Sequence, residues 1–263
     1  MKQKFILWSP VRSLSNVFVR SFESLKGFGC LSAPIVSAFA VGEEKHSTFY
    51  KDVEPIKGLT YKEILESIKE FEHREDIENV FIKEQYFSVF HAPYPLQEII
   101  PKGYKHGILY RKPINSFMSL VKLFKKMEAE LTMTILGEIL NYESLYKFYE
   151  DLVSTGIDEN PLVINGSMVA TNPEAYFKRI CAFWGIEYTD DMVHFRSSET
   201  CLTTHTHDGI FKWRQDAIMS TSWREETQYE ENELKNFSRE FIDFLLAQEE
   251  YYEKLNQICV KLE

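Results

Sequence analysis

The sequence predicts one α/β domain, a central parallel sheet flanked by helices. Three observations carry this. Short apolar runs alternate along the chain with stretches of helical periodicity. The runs are continuously apolar, as strands covered on both faces are. No internal repeat or linker divides the 263 residues, so positions 1–263 form one unit with a C-terminal helical extension from about residue 225. In sheets of this kind ligands sit at the carboxyl ends of the strands, so the segments that follow strands are where chemistry is sought.

The first strand is Phe5-Ile6-Leu7-Trp8, ending in the polar turn Ser9-Pro10-Val11-Arg12-Ser13-Leu14-Ser15-Asn16. A helix follows with Phe18, Phe22 and Leu25 at i, i+4, i+7, and Gly27 and Gly29 stop it. The capping box Thr60-x-x-Glu63 starts a second helix with Ile64, Leu65, Ile68 and Phe71. Residues 80–82 and 108–110 read as strands, and Pro113 opens a helix bearing Phe117, Leu120, Val121 and Phe124. Residues 128–155 are one long helical stretch with a break expected near Gly137, and residues 161–164 are the fourth strand. Asn172-Pro173 caps a helix that Gly185 closes. Residues 196–222 lack periodicity, and Phe237, Phe241, Phe244, Leu245 and Tyr252 mark a last helix across the domain.

Composition excludes several classes. Hydrophobic residues are 44% and charged residues 27%, so a disordered chain is ruled out. With 30 Lys and Arg against 40 Asp and Glu, the net charge of −10 argues against nonspecific nucleic-acid binding but allows a local anion site. Four cysteines without close spacing fit neither a zinc site nor a disulfide framework and point to a reducing, cytoplasmic setting. The apolar run at residues 5–8 is cut short by Pro10 and Arg12, too early for a signal peptide, and no run has the ~18 residues of a membrane span.

The turn after the first strand is a candidate phosphate cradle. A strand entering a helix through a tight polar loop aims backbone N–H groups and the positive helix end at one point, and Arg12, Ser13, Ser15 and Asn16 add donors. The Gly-rich Walker pattern is absent, and a plain strand–helix connection accounts for the same residues equally well. Arg111 at a strand exit, with Ser119 eight residues on in the next helix, is a second candidate pair, against which stands a surface arginine with a solvated serine.

Taken together, these segments resemble the P-loop sulfotransferases, which move a sulfuryl group from 3′-phosphoadenosine 5′-phosphosulfate to a hydroxyl or amine. The bacterial form of their first motif, P-R-S-x-S-[TN], matches Val11-Arg12-Ser13-Leu14-Ser15-Asn16 except for Val11. The resemblance implies that the loop Arg12, Ser13, Leu14, Ser15 and Asn16 holds the 5′-phosphosulfate and that Arg111 and Ser119 hold the 3′-phosphate. Residues 161–165, 172–174 and 184–186 resemble a later strand–helix module of the bacterial branch, and Asp208-Gly209-Ile210, Trp213 and Ser220-Thr221 its late substrate or cofactor loop. The implied function is sulfuryl transfer without a metal to a hydroxyl of a small molecule or carbohydrate, with no nucleic-acid or membrane partner. Two other readings stay open: a noncatalytic nucleotide-binding protein on the same fold, and a divergent P-loop kinase.

The base is where the pattern departs. The family's glutamate position reads Ala33, and its histidine position, two residues after the retained Lys83, reads Gln85. That leaves Glu84 and then His91 as candidate catalytic bases beside Lys83, with the caution that neighbours on an extended strand point oppositely. The His205-x-His207-Asp208 cluster has no third ligand nearby and is read as no metal site. Trp213 and Trp223 are candidates to stack on adenine or acceptor, and the acidic run from Glu225 to Glu231 is read as a solvated helix start.

Overall fold

A computed structural model describes residues 2–100, 102–195, 217 and 220–262. Five strands, β1 (Lys4–Ser9), β2 (Phe28–Ser32), β3 (Asn79–Gln85), β4 (Lys105–Tyr110) and β5 (Leu162–Asn165), form one parallel sheet in the order β2-β3-β1-β4-β5. The helices are α1 (Ser15–Glu23), α2 (Pro34–Val41), α3 (Tyr61–Glu72), α4 (Leu96–Ile99), α5 (Pro113–Lys126), α6 (Met133–Ile139), α7 (Tyr142–Ser154), α8 (Gly166–Thr171), α9 (Pro173–Trp184) and α10 (Arg239–Ile258). The chain runs outward from β1 to β2, returns to β3 and then crosses to β4 and β5. The crevice where the order reverses therefore opens at the carboxyl end of β1.

Alternation along β1 divides the core. Ile6 and Trp8 face α2, α3, α5, α7 and α10, whereas Phe5 and Leu7 face α1 and α9. On the second face, Phe22 of α1 stacks on Phe81 of β3 at 3.9 Å and 5°, and Trp184 of α9 packs against Phe5 at 5.1 Å. Both layers are apolar, so the central parts of β1, β3, β4 and β5 read as unbroken apolar runs. The caps read from the sequence are present: Thr60 accepts from the Glu63 N–H at 3.2 Å, Asn172 from Ala175, and Gly185 ends α9 at φ 68°.

Three elements differ from the sequence reading. Residues 28–32 form an edge strand that the reading lacked, because Gly29 within it looked like a helix stop. A side chain at Gly29 would meet Ile77 and Phe71, which is why a glycine sits in the strand. The next element, α2, is a nearly all-apolar helix without periodicity, fully packed at its core face. The stretch 128–155 holds two helices that part at Leu140 and Asn141, where Asn141 caps α7 by accepting from Ser144 at 3.0 Å. The 205–213 motif readings lie outside the described residues.

Candidate functional site

The loop between β1 and α1 carries left-handed residues at Arg12 (φ 59°) and Leu14 (φ 68°), on either side of Ser13. Alternating backbone hand of this kind is the pattern from which anion-binding concavities are built. No side chain caps α1, so its positive end faces the same space. The Ser13 hydroxyl does not join in: it is fully buried and donates to the Pro10 carbonyl at 2.8 Å, bracing the loop. Gly166 at the start of α8 allows close approach, since a Cβ there would lie 3.0 Å from the Ser13 carbonyl.

The second predicted pair converges on this loop. Arg111 leaves the end of β4 and donates from Nη1 to the Arg12 carbonyl at 3.0 Å, and Arg12 donates from Nε to the Ser119 hydroxyl at 2.9 Å. Pro113 starts α5 and sets Ser119 two turns along it. The Arg111 Nε also forms an ion pair with Glu226. The acidic run is thus not all solvated: the Glu226 side chain is 4% exposed, and Asn115 of α5 donates to it at 3.0 Å.

Between these elements lies a cavity of about 340 Å³. Arg12, Leu14, Ser15, Asn16, Lys83, Arg111 and Ser119 all line it, as does Trp223, whose indole donates to Ser21 at 2.9 Å and stands edge-on to Phe18. The lining also includes a set of apolar side chains, Phe39, Phe49, Tyr50, Phe87 and Ile139.

The predicted bases are placed differently from the sequence reading. Lys83 and Gln85 line the cavity, and Glu84 points the other way, as strand alternation requires. Glu84 is completely buried and accepts from the Ile35 N–H at 2.7 Å and the Gln85 N–H at 2.8 Å. It therefore caps α2, whose own N-cap, Ala33 at φ 58°, has no side chain able to do so. Burial pushes its carboxyl up to about 7, opposed by the N–H donors and by Lys83. His91 is outside the cavity lining: it stacks on His46 at 5.3 Å, and burial, then His46, push its imidazole below the usual range.

The cavity has a carboxylate that the sequence reading did not single out. Glu138 of α6 accepts from the Ser47 hydroxyl at 3.1 Å and from Thr48 twice, at 2.9 Å (N–H) and 2.7 Å (hydroxyl). The adjacent Ile139 carbonyl accepts the Val11 N–H at 3.3 Å, which seats the end of α6 against the phosphate-type loop. In sequence Glu138 is one helical glutamate among many, and no local signal marks it.

No protein-family model and no curated protein matches the chain. Solved structures do. A sulfotransferase from Alicyclobacillus acidocaldarius aligns over 99% of this chain and 98% of its own at 11% identity, with a TM-score of 0.56. The sulfotransferase domain of the Synechococcus PCC 7002 olefin synthase covers 94% of each chain at 15% identity and a TM-score of 0.52. Mouse sulfotransferase SULT7A1, complexed with PAP, covers 98% of this chain and 88% of its own at 14% identity and a TM-score of 0.52. The chain has a sulfotransferase-like P-loop fold, a five-stranded parallel sheet flanked by helices.

Proposed function

We propose that the chain is a sulfotransferase that uses 3′-phosphoadenosine 5′-phosphosulfate and an organic hydroxyl or amine acceptor. One observation carries the reading: the two predicted anion-binding segments, about 100 residues apart in sequence, touch each other through Arg111, Arg12 and Ser119 and open on one cavity. A nucleotide with phosphates at both ends of its ribose needs two such anchors side by side. In this reading the loop N–H groups and Arg12 hold the 5′ side, and Arg111 with Ser119 the 3′-phosphate. Trp223 offers a ring beside them, and the apolar wall receives the acceptor.

Charge that grows on the leaving phosphate is met by fixed dipoles and guanidinium groups already in place, which is how such a site lowers a barrier. Lys83, on the strand end next to the loop, adds a further cation. Arginine, lysine and backbone dipoles suffice here because a sulfuryl group carries less charge than a terminal phosphoryl. The buried thiols Cys30, Cys181 and Cys259 suit a reducing, cytoplasmic compartment.

Calorimetry in EDTA tests the reading. Adenosine 3′,5′-bisphosphate is expected to bind without metal, and binding of Mg·ATP in its place would overturn the reading in favour of a kinase. A second reading, a nucleotide-binding protein without catalysis, is favoured by the helix-capping role of Glu84 and by His91 standing off the cavity. It predicts bisphosphate binding with no transfer of labelled sulfate to any member of a broad acceptor panel.

A further inference from the structure

Glu138 is a half-buried carboxylate that lines the cavity together with Ser47 and the apolar Ile139. A carboxylate has about four acceptor positions and no donor. Three are filled by Ser47 and Thr48, two of them on Oε2, so one position on Oε1 remains. Both Glu138 and Ser47 line the cavity. Among the described residues, none of the lysine or arginine ion pairs involves Glu138. The cavity lining also holds Arg12, Lys83, Arg111 and Arg224, of which Arg111 is taken by Glu226; the charge of Glu138 reaches His91 as well, but burial and then His46 keep that imidazole below its usual range.

A carboxylate drawn partly out of water beside aromatic rings is costly unless a cation meets it. Its three donors are neutral, so they fix its orientation without neutralising it. The Ser47 and Thr48 bonds hold it still, and a fixed carboxylate with one open position suits a ligand ammonium. Phe39, Phe49, Tyr50 and Phe87 add the apolar contact and ring surface that favour an organic cation. A neutral hydroxyl donates to the same position, and that bond is charge-assisted as well, but only an ammonium also brings the opposite charge that the carboxylate lacks.

We infer that Glu138 is a specificity-determining residue that selects an acceptor carrying a protonated amine on an apolar or aromatic body. The assignment of this ligand as an acceptor rests on the sulfotransferase reading; the cation subsite itself does not.

The test is calorimetry on the full chain at neutral pH, without nucleotide, using 2-phenylethylamine and its uncharged counterpart 2-phenylethanol. The amine is expected to bind about ten- to a hundredfold more tightly, the range of a charge-assisted hydrogen bond. Glu138→Gln should remove that preference, with the amine losing far more affinity than the alcohol, and the wild-type preference should shrink with added salt. Equal wild-type affinities, binding of neither molecule, or a preference that survives Glu138→Gln would overturn the inference. Should Glu138→Gln fail to fold, the wild-type ratio and its salt dependence decide alone. Adenosine 3′,5′-bisphosphate is titrated separately: its binding without the amine preference defeats this inference only, and the preference without nucleotide binding upholds the cation subsite and defeats the nucleotide reading.

Discussion

The Glu226 carboxylate is held by the Arg111 guanidinium, which at the same time donates to the Arg12 carbonyl at 3.0 Å. Asn115 ties Glu226 and Gln228 to α5, each at 3.0 Å, so this carboxylate is fixed where a phosphate oxygen would meet Arg111. In the proposed nucleotide reading, a 3′-phosphate has to displace it. Glu226→Gln is therefore expected to tighten adenosine 3′,5′-bisphosphate several-fold to about tenfold, the scale of one charge-assisted bond. The affinity of 5′-AMP should not change. Calorimetry on both ligands checks this, and weaker bisphosphate binding by the variant would show that Glu226 supports the site.

Removing the arginines should separate the two phosphates. Arg111→Ala, made in the Glu226→Gln background so that no carboxylate is left unpaired, should weaken the bisphosphate about ten- to a hundredfold and 5′-AMP little. Arg12→Ala should weaken both. The comparison is fair for the backbone, because alanine at φ 59° is no more strained than the arginine it replaces. Equal losses for the two ligands with Arg111→Ala would move the 3′ site elsewhere.

Glu84 makes stability depend on pH with a definite sign. Its folded carboxyl lies near 7 against an ordinary value of 4.5, so the folded state holds a proton that the unfolded chain has released. Its contribution is complete below about 4.5 and is lost as pH rises through about 7, at most ~3 kcal/mol across the window. The melting temperature of the wild type relative to Glu84→Gln should fall between pH 5 and pH 8. Turnover and bisphosphate affinity should both be the same in the two proteins at a pH where both are folded, as a helix cap requires, whereas loss of turnover with affinity kept would mark Glu84 as a base.

His106 works in the opposite direction. It is buried, accepts the Trp8 indole N–H at 3.0 Å, and burial lowers its pKa to about 4. The neutral ring's contribution is present above about 6.5 and disappears as pH falls through about 4. In acid melts the stability difference between the wild type and His106→Asn should shift against the wild type as pH falls over that window, the other titrating groups cancelling in the comparison.

A gain in stability is available at a residue that does not line the cavity. Helix α5 ends with the Ala129 N–H bonded to the Phe124 carbonyl at 3.0 Å and the Glu128 N–H to the Lys125 carbonyl at 3.2 Å, which puts Glu128 at the left-handed position of a Schellman turn (φ 54°). Glycine takes that conformation without strain. Glu128→Gly should raise stability by about 1 kcal/mol, read in urea melts, with no change in ligand binding.

What the sequence by itself determined is local. The unbroken apolar runs at residues 5–8, 80–82, 108–110 and 161–164 mark strands because a strand buried on both faces admits no polar position. The Asn172 cap and Gly185 stop mark a helix for equally local reasons. The R-S-x-S-N turn and the Arg111/Ser119 spacing stand out because anion binding by a strand–turn–helix loop needs short donors at set intervals. Edge strand β2 was hidden because its glycine answers to Ile77 and Phe71, which no window around residue 29 contains.

Only the tertiary structure decided which of these residues meet. Strand alternation turns Glu84 onto α2 and leaves the cavity to Lys83, and the length of β3 settles that, since Glu84 is still in register with Trp8 of β1. Glu138 and Glu226 look like solvated helical carboxylates in sequence. Each enters the cavity through partners roughly 90 to 115 positions away, Ser47 and Thr48 for one, Arg111 and Asn115 for the other. A carboxylate's role depends on what surrounds it, and those surroundings are assembled by chain crossings that leave no trace in the residues beside it.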